Sequence, residues 1–141
     1  MPYEIAFVKK LQIADKEKYI NECCWGGDAV TAQLLPKISA RYEHVQREQE
    51  DWGWFIWFRK GSVSLAVDVF CDDPDTGAFR IHLTSRRKRL LVMDQIVDGP
   101  ELEELKTLVM EELKAWTGSS CAITLLDARH MPVAASRDEN S

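Results

Sequence analysis

Between Trp52 and Arg86 apolar and polar residues alternate in three successive runs, separated by two short breaks rich in turn-forming residues. This pattern constrains the fold more than any other in the chain. Side chains along a strand point alternately to opposite faces, so a period of two marks strands with one buried face. The runs cover Trp52 to Arg59, Ser62 to Cys71 and Phe79 to Arg86, with Lys60-Gly61 and Asp72 to Gly77 as the breaks. Glycine takes positive φ freely, and Asp and Pro favour turns, so both breaks suit tight reversals. The segment is expected to form a β-meander.

Hairpin arithmetic extends the reading. With Lys60-Gly61 as a two-residue turn, Arg59 pairs with Ser62. Trp54 then faces Val67, Ile56 faces Leu65, and Phe58 faces Val63, all apolar. Only two registers of the third run keep Phe79, Ile81 and Leu83 on that same face. Asp68 then lies opposite His82 in one and opposite Arg80 in the other. The second face mixes large aromatics with charge: Phe55, Trp57, Arg59, Asp68, Phe70, Arg80, His82 and Thr84. A plain solvent face seldom carries three large aromatics, so these eight residues are the candidate ligand or partner surface.

The flanking segments suggest helices. Tyr3 to Ile13 alternates as a strand, and Asp15 is placed to cap a short helix running through Cys24. After Gly26-Gly27, a second helix is expected from Asp28, with Val30, Leu34, Leu35, Ile38, Tyr42 and Val45 at helical spacing. Pro36 lies inside that stripe and either kinks one helix or starts another. Leu90 to Ile96 is a weaker fourth strand. The last helix has Asp98 and Glu101 as a capping pair, Pro100 in its first turn, and a stripe of Leu102, Leu105, Val109, Leu113 and Trp116 ending at Gly118. A final strand, Cys121 to Leu126, returns to the sheet. The expected architecture is a two-layer α+β domain over residues 1–128, mostly antiparallel, with helices on one face. Residues 129–141 are small and polar and are expected to be a disordered tail.

Composition narrows the function classes. The hydrophobic fraction is 45%, so the chain can build a core and is not disordered throughout. The net charge of −5 argues against a dedicated nucleic-acid binder. The longest apolar run, Trp54 to Phe58, is far short of the roughly 20 residues that span a bilayer. With no apolar leader near Met1, the expectation is a cytoplasmic protein. The four cysteines include no C-x-x-C pair and read as reduced thiols, and no metal or cofactor motif occurs.

Chemistry-bearing residues are few. Asp68 beside His82 is the best catalytic candidate, since a carboxylate can orient an imidazole, but no nucleophile is fixed by spacing. His44 reads as a helix-surface residue, and Asp72, Asp73 and Asp75 read as a turn rather than a calcium loop. Arg86, Arg87, Lys88 and Arg89 form one basic patch that can attract phosphate. The leading expectation is a non-catalytic protein-interaction module, a homodimer included, built on the aromatic sheet face. The alternatives are a small-molecule-binding domain or modest enzyme using Asp68, Arg80 and His82, and weak nucleic-acid binding through Arg86 to Arg89.

Overall fold

The computed structural model describes residues 2–87, 95–96, 99–118 and 122–125. Its strands are β1 (Tyr3–Val8), β2 (Glu43–Glu50), β3 (Gly53–Lys60), β4 (Val63–Asp73), β5 (Ala78–Arg87), β6 (Gln95–Ile96) and β7 (Ala122–Leu125). Its helices are α1 (Gly27–Arg41) and α2 (Pro100–Thr117). The strands form one antiparallel sheet in the order β2-β3-β4-β5-β1-β7, with β6 pairing the end of β5. Both helices pack on the same side, α1 over β3 and β4, and α2 over β5 and β1. The result is a two-layer α+β fold.

The core lies between the layers. Ile56, Phe58, Val63, Leu65, Val67, Ile81 and Leu83 meet Val30, Leu34 and Ile38 of α1 and Leu102, Leu105, Val109 and Leu113 of α2. These are the faces that period-two and helical spacing assign to the interior. In the β3–β4 hairpin the loop is Gly61-Ser62, with Gly61 at φ 61° and Lys60 opposite Val63. Every pair is therefore displaced by two residues from the expected one, so that Trp54 meets Val69 and Ile56 meets Val67. An even displacement leaves both faces unchanged, because the side-chain period is two. Between β4 and β5, Val69 pairs with Ile81 and Asp68 with His82, one of the two expected registers.

Several expectations are corrected. β1 stops at Val8, not Ile13, because its partner β5 begins at Ala78 and the ladder has nothing further to pair with. Residues 15–24 form two single 3-10 turns, Lys16–Lys18 and Glu22–Cys24, rather than one helix. Asp15 does cap the first, but the Asn21 side chain accepts from the Cys23 amide and starts the second separately. α1 is one continuous helix through Pro36, and it ends at Arg41, short of Val45. Pro36 is exposed, so the carbonyl it cannot satisfy faces water. His44 and Val45, expected on a helix, instead belong to the edge strand β2, which pairs with β3 around a bulge between Glu43 and Gln46. The strand's polarity hid the alternation. α2 begins at Gly99-Pro100 and ends at Gly118 with φ 71°, as its glycine and proline imply. Asp98 of the expected capping pair and the 129–141 tail lie outside the described residues. So do Leu90 to Asp94 of the expected fourth strand, of which Gln95–Ile96 is seen.

Candidate functional site

The face of the sheet away from the helices carries the site, and strand register lays it out in rows. One row runs Glu48, Phe55, Asp68, His82 and Glu4 across β2, β3, β4, β5 and β1. The next runs Gln46, Trp57, Ala66 and Thr84, and the third runs Arg59, Ser64 and Arg86. Neighbouring strands are about 4.8 Å apart and successive rows about 6.7 Å apart. Small side chains at Ser64 and Ala66 leave the middle of the face low. Trp57 rises on one side of this depression, 51% exposed.

The depression is a cleft of about 480 Å³. Of the residues proposed from sequence, Trp57, Arg59, Asp68, Thr84 and Arg86 line it. It is also lined by Trp52, His44 and Gln46, which sequence reasoning did not assign to it. His44 reaches the cleft because the edge strand bulges between Glu43 and Gln46, with His44 at φ 58°. Trp52 reaches it because Gly53, at φ 154°, breaks the alternation between Trp52 and Trp54. Trp54 goes to the other side, where its indole N–H donates to the Cys24 carbonyl at 2.9 Å. A glycine between two tryptophans was the available signal.

Phe55 belongs to the site as a support. It is 3% exposed, covered by Trp57 at 4.2 Å and Trp52 at 6.1 Å between ring centroids. Trp52 also meets Phe70 at 5.3 Å. These ring contacts leave Trp57 as the one exposed aromatic of Phe55, Trp57 and Phe70.

Phe70, Arg80 and His82 form a second cluster beside the cleft. Arg80 Nε donates to Asp72 Oδ2 at 2.8 Å, and its Nη1 approaches Glu4 Oε1 at 3.4 Å. Its guanidinium stacks 4.9 Å from Phe70. The hydrogen bond to Asp72 leads the effects that hold the Arg80 pKa above its ordinary value. His82 is buried, with Nε2 3.0 Å from Glu4 Oε1 and its ring edge-on to Phe70. Asp68 and His82 are register neighbours, as one of the two expected registers has them, and Glu4 bonds the imidazole. Glu4 was missed because the meander alone does not reveal that β1 lies beside β5.

Asp68 is left by itself. It is half-buried, and among the described residues it makes no hydrogen bond or ion pair. Burial pushes its carboxyl up to about 6, while the nearby charge of Arg86 pulls the other way. Removing water from a carboxylate without supplying donors favours its neutral form.

Other candidates are resolved simply. Asp73 accepts from the Asp75 amide at 3.0 Å, so the acidic segment is an Asx turn. Among the described residues no three metal-ligating side chains converge. Cys23, Cys24 and Cys71 are free thiols. Cys24 Sγ donates to the Glu50 carbonyl at 2.9 Å, and burial pushes Cys71 up to about 11. Arg86 and Arg87 are exposed at the end of β5, whereas Lys88 and Arg89 of the basic patch lie outside the described residues. No described helix is long and apolar enough to cross a membrane. No protein-family model matches the chain, and neither the curated proteins nor the solved structures contain a match to it.

Proposed function

We propose that this chain is a non-catalytic binding module that holds a small ligand in the cleft on the uncovered sheet face. The observation that carries the reading is Asp68: a half-buried carboxyl that among the described residues accepts no hydrogen bond, in a cleft whose strands also carry Arg59 and Arg86 two rows away, with the Arg86 charge acting on it. Ligand pockets are commonly about 300–1,000 Å³, with aromatic walls and a few convergent polar groups, and this cleft has that size and make-up. The aromatics support it too, since their mutual stacking leaves a walled depression rather than a broad apolar patch. A catalytic role gains no support from the cleft, because His82 lies beside it and is engaged by Glu4. The free thiols support a reducing compartment, the cytoplasm, as its place of work.

The test is a ¹⁵N-labelled titration with mixtures of small anionic and zwitterionic metabolites. The expected result is a saturable shift confined to Trp57, Ala66, Asp68 and Thr84, lost in Trp57→Ala. Saturable shifts only at residues outside the cleft, with Arg59, Ser64 and Arg86 counted among its lining, or none with any mixture, would remove the reading.

One observation favours a second reading, a protein-interaction surface or homodimer. Trp57 is 51% exposed on a face that neither helix covers. Analytical ultracentrifugation separates the two. Concentration-dependent dimerisation abolished by Trp57→Lys would favour the second reading.

A further inference from the structure

The cleft's polar groups are ordered along the strands, and that order specifies a ligand. At one end Arg59 and Arg86 flank Ser64 from β3 and β5, their Cα atoms about 10 Å apart across three strands. This suits an anion seated between two guanidinium groups above a hydroxyl. In the middle, Trp57 stands beside Ala66, whose methyl leaves room for a flat group lying against the indole. At the far end, its backbone four residues or roughly 13 Å along β4 from Ser64, Asp68 presents acceptor oxygens that among the described residues meet no hydrogen-bond donor, with the Arg86 charge acting on them from across the cleft.

Resting on the small-ligand reading above, we propose that the cleft binds a guanine nucleoside monophosphate. The phosphate lies between Arg59 and Arg86, the base lies on Trp57, and the N1–H and N2–H₂ edge donates to Asp68. Length and order both argue for this class. A nucleoside monophosphate carries its anion at one end, a planar ring with hydrogen-bonding edges at the other, and a sugar between. The base follows from Asp68. An ionised carboxylate only accepts, and guanine offers it two adjacent donors. Adenine and cytosine offer a donor beside an acceptor, which leaves one carboxylate oxygen facing a lone pair. A site built to receive donors rejects an analogue lacking them more strongly than an apolar pocket rejects a change of size. The phosphate end needs only charge and is the less selective part.

The experiment is calorimetric titration of the full chain at pH 7.5 with GMP, AMP, guanosine and inorganic phosphate, with tryptophan fluorescence as a second readout. Saturable GMP binding that quenches Trp57 is expected, with AMP and guanosine each at least tenfold weaker. Asp68→Asn should lower GMP affinity tenfold or more and bring GMP and AMP close together. Arg86→Gln should weaken GMP severalfold and leave guanosine unchanged. Circular dichroism establishes that each variant is folded. Because Asp68→Asn removes a charge the fold must desolvate, loss of binding there does not come from unfolding. Equal binding of GMP and AMP, or GMP binding untouched by Asp68→Asn, would overturn the proposal. So would the absence of GMP binding. If other metabolites then shift Trp57 and Asp68, only the ligand class is wrong. If none does, the small-ligand reading falls with it.

Discussion

Asp68 costs the fold stability at neutral pH, and the sign of that cost follows from its titration. Folding raises its pKa from 3.8 to about 6, so the folded chain favours the protonated form. Below about pH 3 both states are protonated and the penalty vanishes. As pH rises to about 6 the unfolded chain ionises first, and above that the folded chain carries the whole cost, at most about 3 kcal/mol. Asp68→Asn is therefore expected to stabilise the protein at pH 8 by up to about 3 kcal/mol and at pH 4 by less than about 1 kcal/mol. Thermal melts at the two pH values check this, and an equal shift at both would refute it. Groups that lower stability in a cleft while waiting for a partner are a usual feature of binding sites. Gly53 is constrained in the opposite direction. A Cβ there would sit 2.1 Å from the Val69 carbonyl oxygen, at a φ of 154°. Gly53→Ala is expected to cost more than about 2 kcal/mol, measured by urea unfolding. A variant as stable as the parent would mean that the backbone here can relax. The same residue shows where sequence reading ran out. Period two puts Trp52 and Trp54 on one face, and only the positive φ at Gly53, which follows from the close approach of Val69, sends Trp52 over the cleft.

At the scale of elements, patterns backed by burial were legible and those backed by backbone pairing were not. β3, β4 and β5 declare themselves because each buries a full apolar face, and even a two-residue error in the hairpin loop preserves both faces. β2 does not, because an edge strand with only Val45 packed on the core is free to be polar. Its Glu43, Glu48 and Glu50 blunt an edge that would otherwise invite pairing with another chain. The missed strand also hid His44 and Gln46, which line the cleft. α1 has the converse property: its stripe of Val30, Leu34 and Ile38 holds it together across a proline that propensity alone would reject. Pro36 faces solvent and fills no core position, so its replacement should restore an amide donor without opening a cavity. Pro36→Ala is expected to stabilise the fold by about 1–3 kcal/mol, read from the urea midpoint. A loss of stability instead would mean that the backbone geometry set by Pro36 is needed to seat α1 on β3 and β4.

For the whole molecule, the position of the cleft decides how ligand binding couples to folding. The cleft is built on β3, β4 and β5, and the reverse faces of these strands form the centre of the core. One buried cluster joins β1, α1, β3, β4, β5 and α2, so no described helix or central strand has a core of its own. Loss of either helix strips the inner face of the strands that carry Trp57 and Asp68. The unfolding transition is therefore expected to be single, with tryptophan fluorescence and far-ultraviolet circular dichroism giving the same urea midpoint. A ligand that occupies the cleft then stabilises the entire described fold rather than a local loop. At a free concentration 100 times its dissociation constant, the gain is about 2.7 kcal/mol. Both probes should move together by that amount when GMP is added, and in Asp68→Asn at the same concentration the gain should fall to about 1.4 kcal/mol or less. A midpoint shift seen by tryptophan fluorescence but not by circular dichroism would show that the strands bearing the cleft unfold independently of the helices. That outcome would break the link drawn here between the inner face of the sheet, which makes the fold, and its outer face, which is left for binding.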